Sequence, residues 1–284
     1  MIGMKRWKVI LTAAVLVIAA TACSSEKEEE PVKKVADLEI QIDNEKETEQ
    51  EAEQEAEQGT EQEGEAEQVP EQPRRTQTIA LDPGHSGVLK GGKEPLGPGS
   101  SEMKAADVSG TSGSTSGLAE YELNLMVGLK LRTELQERGY TVIMTRETND
   151  VPLTNVERAE IANNASADAM VRIHANGSES SSAKGAMTIC ITSGNPFYPE
   201  LYQQSRGLSD CIINNLCEVT GCENDGVWET DSMTGNNWSK IPSTIVEMGY
   251  MTNPEEDALM ATDDYQDKIV KGIANGIDQY FGYR

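Results

Sequence analysis

Thr76-Gln77-Thr78-Ile79-Ala80-Leu81-Asp82-Pro83-Gly84-His85-Ser86-Gly87 decides the fold. Thr76 to Leu81 reads as a strand, and Asp82-Pro83-Gly84 turns the chain out of it. A histidine therefore stands just past a strand end. The 284-residue chain contains only one other histidine, His174, in Val171-Arg172-Ile173-His174-Ala175-Asn176-Gly177, again after a short apolar run and before a glycine. In open α/β sheets, such strand ends are where sites are built.

Working outward, apolar periodicity predicts a helix over Leu118–Arg138, stopped by Gly139, and a strand over Tyr140–Met144. A helix capped at Thr154 or Asn155 runs to about Asn164. Strands follow at Ala169–Ile173 and Ala186–Ile191, a helix at Pro199–Thr220, and a strand at Ser243–Val246. A short helix after Asn253-Pro254 and an amphipathic helix over Tyr265–Tyr280 close the chain. Strands alternating with helices predict an α/β fold: one domain, with a mostly parallel twisted sheet flanked by helices on both faces. Val88–Gly117 lacks periodicity and reads as one long loop, a length that in compact domains goes with function or disorder.

The ends behave differently. Lys5, Arg6 and Lys8 precede the apolar run Val9–Ala22, too short for a comfortable membrane span, so residues 1–23 read as a targeting leader. Its end, Ala20-Thr21-Ala22-Cys23, resembles a bacterial lipobox, with Ala20 replacing the usual larger aliphatic residue. That resemblance implies a lipoprotein anchored through Cys23 to the outer face of the cytoplasmic membrane, an exported protein of the cell envelope. From Ser24 to Pro73, Glu and Gln dominate and aromatics are absent. Such a segment buries too little apolar area to offset its ordering entropy, and it reads as a disordered acidic linker over 24–75. This stretch holds 19 Asp+Glu and 4 Lys+Arg, so about −15 of the chain's −24 resides there; the leader carries +3 and the remainder −12. Even the folded part is acidic, which argues against nucleic acid as a partner. Residues 76–284 suit one catalytic domain. Cys190, Cys211, Cys217 and Cys222 show no CxxC spacing, and their pairing stays open.

Two imidazoles and a carboxylate make a minimal open zinc site. His85 and His174 supply the imidazoles. Glu120 and Glu122, at the start of the helix after the long loop, are both candidates for the carboxylate, because a helix N-terminus favours a deprotonated acid. A second, non-ligating carboxylate must then move a proton. Glu247, in Ile245-Val246-Glu247-Met248-Gly249-Tyr250, is a single acid at the end of an apolar strand, where burial would raise its pKa. Each residue alone has a plain structural reading: a strand-end histidine, a solvated helix acid, a salt-bridge partner. Their joint occurrence points to a zinc hydrolase without naming the bond.

Together, Ile79–Gly87, Glu120-Tyr121-Glu122-Leu123-Asn124-Leu125, Ile173-His174-Ala175-Asn176 and Val246–Pro254 resemble the zinc-dependent N-acetylmuramoyl-L-alanine amidases of the type 3 class, in the family's order across Thr76–Tyr280. The resemblance implies that His85, Glu120 and His174 bind Zn2+ and that Glu247 is the catalytic acid/base. Glu120 is preferred to Glu122 as the first acid of the family's acid-x-acid-x-Asn-Leu pattern. Arg158 and Asn176 fall at recurrent family positions and are expected to support the site. The implied substrate is peptidoglycan, cut at the amide between N-acetylmuramic acid and L-alanine. Ser86 departs from the family's commoner glycine, and the Val88–Gly117 loop is long enough to influence access. Two rivals remain: another zinc-dependent wall hydrolase such as a peptidase or deacetylase, and a catalytically silent peptidoglycan-binding module. Oligomeric state is not readable.

Overall fold

A computed structural model describes residues 75–284. The expected leader (1–23) and all but the last residue of the expected linker (24–75) lie outside the described residues. In chain order the elements are β1 (Thr78–Pro83), β2 (Lys93–Pro95), β3 (Met103–Ala105), α1 (Glu120–Glu137), β4 (Thr141–Met144), α2 (Asn155–Asn164), β5 (Ala169–Asn176) and β6 (Ala186–Cys190). They continue with α3 (Tyr202–Thr220), β7 (Asn224–Glu229), α4 (Thr234–Trp238), β8 (Ser243–Tyr250), α5 (Pro254–Met260) and α6 (Asp263–Tyr280).

Six strands form one sheet in the order β4-β1-β5-β8-β6-β7. β4, β1, β5 and β8 run parallel; β6 is antiparallel to β8, and β7 is parallel to β6. The expected mostly parallel α/β sheet is thus present. β1 is buried along nearly its whole length, as a central strand covered on both faces must be. On one face Leu123, Val127, Leu131 and Leu135 of α1 meet Ile212 and Leu216 of α3 and Ile269, Ile273 and Ile277 of α6 over the sheet. Each such buried side chain contributes roughly 1.5–3 kcal/mol. The other face has a smaller core of Ala80, Ala162, Ala167 and Met170, beneath α2.

The winding positions the site. From β1 the chain crosses through α1 to β4 on one side, then returns through α2 to β5 on the other side of β1. From β5 it continues outward to the rest of the sheet. The strand order therefore reverses between β1 and β5, and the crevice outside their carboxyl ends is a topological switch point. His85 follows β1, and His174 lies near the end of β5.

Four elements were absent from the sequence reading. The long loop contains the antiparallel pair β2–β3. β7 was not assigned from the sequence; its Asn224-Asp225-Gly226-Val227-Trp228-Glu229 is polar and half-exposed because it is the sheet edge. The five-residue α4 is too short to show periodicity. Arg75, placed at the end of the linker, belongs to the fold: its Nε lies 2.9 Å from Asp278 Oδ1 and its guanidinium covers the Tyr140 and Tyr283 rings. No helix among the described residues is long and apolar enough to cross a membrane.

Candidate metal centre

The turn after β1 is held from below by arginines. Asp82 is fully buried, accepting from Arg158 Nη1 at 2.8 Å, Arg172 Nε at 2.9 Å and Thr145 Oγ1 at 2.6 Å. Burial alone would raise its pKa, but the two guanidinium charges outweigh that and hold the carboxyl well below its usual range. Arg158 also donates to the carbonyls of Pro83 and His85, and Arg146 to those of Pro83 and Gly84. Every carbonyl from Pro83 to His85 thus meets a fixed cation. The turn is held tightly enough to keep His85 at φ +61°, a left-handed conformation costly for a residue with a Cβ.

This places His85 Nε2 3.1 Å from Glu120 Oε1 and 3.1 Å from His174 Nδ1, which is itself 3.1 Å from the same Glu120 oxygen. Three ligand atoms from β1's turn, α1's first residue and β5 therefore form a near-equilateral triangle. Bonds of about 2 Å to a tetrahedral zinc would set such atoms roughly 3.3 Å apart, so the triangle fits. His85 Nδ1 donates to Val108 O at 2.7 Å, which turns Nε2 toward the other two atoms. Burial keeps the His174 ring neutral, its pKa lowered to about 4. Burial would raise the Glu120 pKa, but hydrogen bonds with His174 and His85 take it well below the ordinary carboxylate range. Two imidazoles and one carboxylate converging on one point could hold a metal ion.

The surroundings fix these ligands. Glu120 Oε2 accepts from Thr111 N at 2.9 Å, and Oε1 accepts from Asn124 Nδ2 at 3.2 Å and Ala175 N at 3.3 Å. Glu122 turns away to cap α1, accepting from Ala119 N at 2.9 Å. Gly84 lies against the His174 ring so closely that a Cβ there would meet it at 2.2 Å. A Cβ on Gly110, at φ +81°, would lie 2.4 Å from Glu120 Oε2.

Glu247 sits opposite His174 in the β5–β8 register. Although the residue is only partly buried, its Oε2 is shut from solvent and has no hydrogen-bond partner. Burial, with the nearby Glu120 charge, raises its pKa to about 8 against the pull of Arg172. Beside the triad runs an open cleft lined by Gly110, Thr111, Gly177, Ser178, Glu179 and Thr252.

The structure thus brings His85, Glu120, His174 and Glu247 to one end of the sheet. Arg158, an ordinary exposed helix residue by sequence alone, is 3% exposed and grips the His85 turn. Asn176 ends β5, its Oδ1 accepting from Gly177 N at 2.8 Å. Sequence reasoning missed Asp82, Arg146 and Arg172. Arg172 carried a signal: it is a charge inside an apolar strand, two residues before His174 and so on the same strand face. Arg146, just past a strand end, gave none. The long loop supplies Val108 O to His85 and Thr111 N to Glu120.

Residues 79–279 match the family model described as N-acetylmuramoyl-L-alanine amidase. The chain is 30% identical to N-acetylmuramoyl-L-alanine amidase LytC of Bacillus subtilis over 207 residues, covering 72% of this chain and 36% of that protein. It is 28% identical to N-acetylmuramoyl-L-alanine amidase Rv3717 of Mycobacterium tuberculosis, covering 70% of this chain and 84% of the relative. Among solved structures, the amidase Ami1 of Mycobacterium smegmatis superposes with a TM-score of 0.66 at 26% identity, covering 73% of this chain and 98% of that one. Fold, site and sequence agree that this chain belongs to the N-acetylmuramoyl-L-alanine amidase family.

Proposed function

We propose that the protein hydrolyses the amide between the lactyl group of N-acetylmuramic acid and L-alanine in peptidoglycan, with zinc as its metal. The observation that carries this reading is the 3.1 Å triangle of His85, Glu120 and His174 with the unpartnered Glu247 carboxyl beside it. His85 Nε2, His174 Nδ1 and Glu120 Oε1 would hold the metal. When bound, zinc supplies Lewis acidity toward a carbonyl oxygen and toward water. Val108 O and Thr111 N keep the ligands oriented. Glu247 takes a proton from the attacking water at its carboxyl and delivers it to the departing alanine nitrogen. Burial raises the pKa of that carboxyl toward neutrality, the direction needed by a group that both takes and gives a proton. The cleft past Thr111 and Thr252 gives the glycan-linked stem peptide a route to the site.

The same proposal places this domain, 76–284, in the cell envelope, tethered by the acidic 24–75 segment to a lipid on Cys23. The lipobox-like Ala20-Thr21-Ala22-Cys23 supports that reading. Radiolabelled fatty acid should enter the wild-type chain and not the Cys23→Ala chain; equal labelling would refute the anchor.

Purified sacculi test the chemistry. Mass spectrometry should find intact stem peptides released from glycan, with release lost on chelation and restored by zinc. Cleavage within the stem, or loss of acetyl groups, would identify a different wall hydrolase. Tight sacculus binding with no product in the zinc-loaded protein would identify a silent binding module. His174→Ala should purify without stoichiometric metal.

A further inference from the structure

Far from the crevice in function, and needed by none of its chemistry, two cysteines meet at the end of α3. That helix stops at Gly221, whose φ of +77° is left-handed and whose N–H donates to Cys217 O at 2.9 Å. This ending turns the residue after the glycine back onto the residue four before it. Here those residues are Cys222 and Cys217, and their sulfurs lie 3.2 Å apart. The segment is fixed on both sides. Cys222 N donates to Thr220 Oγ1 at 3.3 Å, and Ala186 N of β6 donates to Glu223 O at 2.9 Å. Both cysteines are half-buried against the main core, so they are held in place yet reachable by a small reagent.

We propose that Cys217 and Cys222 close to an intramolecular disulfide, tying the last turn of α3 to the chain entering β7, while Cys190 and Cys211 stay thiols. A disulfide needs sulfurs at about 2.05 Å, so the pair must close by roughly 1 Å. The hydrogen bond between the sulfurs favours one thiolate facing one thiol: it lowers the Cys222 pKa and raises that of Cys217. Burial instead raises Cys190 to about 11 and shifts Cys211 the same way, which leaves both poor nucleophiles.

The oxidant is a disulfide, from a small molecule or an oxidoreductase. The Cys222 thiolate attacks one sulfur of glutathione disulfide, forming a mixed disulfide and releasing one glutathione thiolate. Cys217 then gives up its proton and attacks Cys222 Sγ, displacing the second glutathione. Two cysteine thiols become one disulfide, one glutathione disulfide becomes two thiols, and the two cysteine protons end on them.

The test uses the full-length chain, reduced, freed of reductant, exposed to glutathione disulfide and alkylated. A glutamate-specific protease cuts after Glu218, between the two cysteines. The peptide ending at Glu218 and the one starting at Val219 should travel as a single mass until reductant separates them. The Cys211→Ser protein should keep this link, and the Cys217→Ser protein should lose it. Alkylation of Cys217 and Cys222 as complete as that of Cys190 would overturn the proposal. So would a glutathione adduct persisting on Cys222 in the wild-type chain, or a link that disappears with Cys211→Ser. The wild-type and Cys211→Ser maps decide the matter even if Cys217→Ser does not fold.

Discussion

Two ionic clusters lie on either side of the turn after β1, and they are balanced differently. Around Asp82, one carboxylate meets two guanidinium groups and a hydroxyl, and its charge is answered. Around Glu120, a carboxylate and two imidazoles converge at 3.1 Å, and Glu247 adds a carboxyl with a sealed, unpartnered oxygen. The first cluster already contains its cations; the second is short of one. The difference teaches how to read buried charge: the satisfied cluster is a brace, and the unsatisfied one is where we propose that the protein binds metal and reacts. The cost of the second is tolerated because the first holds it rigid.

The sharpest way to break the comparison is to remove one acid from each cluster. Glu247→Gln should lower stem-peptide release by about 10²–10⁴-fold while metal content stays at the wild-type level. Release at the parent rate would end the proton-transfer role. The same variant should not weaken the metal-free fold, because a carboxyl with its pKa raised to about 8 folds best when neutral. The sign follows from linkage. Between the ordinary carboxylate pKa and about 8, the folded state keeps a proton that the unfolded state has lost, so stability falls as pH rises through that window. Urea titrations of the metal-free protein should show a decline on the order of a few kcal/mol from pH 5 to 9, smaller in Glu247→Gln. Asp82→Asn should act in the opposite direction. It strands two buried guanidinium groups and should cost about 3–5 kcal/mol by urea unfolding near neutral pH. A variant as stable as the parent would show that Arg158 and Arg172 do not depend on Asp82.

The same contrast explains what was legible in the sequence. His85, His174 and Glu247 were visible because each interrupts an apolar run at a strand end, where chemistry is built. The sheet was visible because buried parallel strands are continuously apolar, as in Ile79-Ala80-Leu81. The brace was largely hidden. Arg158 lies on α2 among polar neighbours, and only three dimensions show that its guanidinium reaches 76 positions back to Asp82. Arg146 gave no pattern, since its partners are carbonyls, which every residue carries. β7 escaped because an edge strand needs no apolar alternation.

Two smaller changes sharpen the boundary between brace and site. Gly84→Ala places a methyl group where the His174 ring now lies, 2.2 Å from a ring carbon. The ring must move, so zinc affinity should fall about 10–100-fold, the usual range for disturbing the groups that orient a ligand. A metal-competition titration measures this, and unchanged affinity would mean that the ring does not ligate from this position. Glu120 and Glu122 provide the finest distinction, two acids two positions apart with different work. Glu122 only completes the N-terminus of α1, through Ala119 N, so Glu122→Ala should cost about 1 kcal/mol of stability and leave zinc affinity and stem release unchanged. Loss of metal in Glu122→Ala, with metal retained in Glu120→Ala, would reverse the assignment. The acids would then have exchanged roles, with Glu122 as the ligand and Glu120 as the cap.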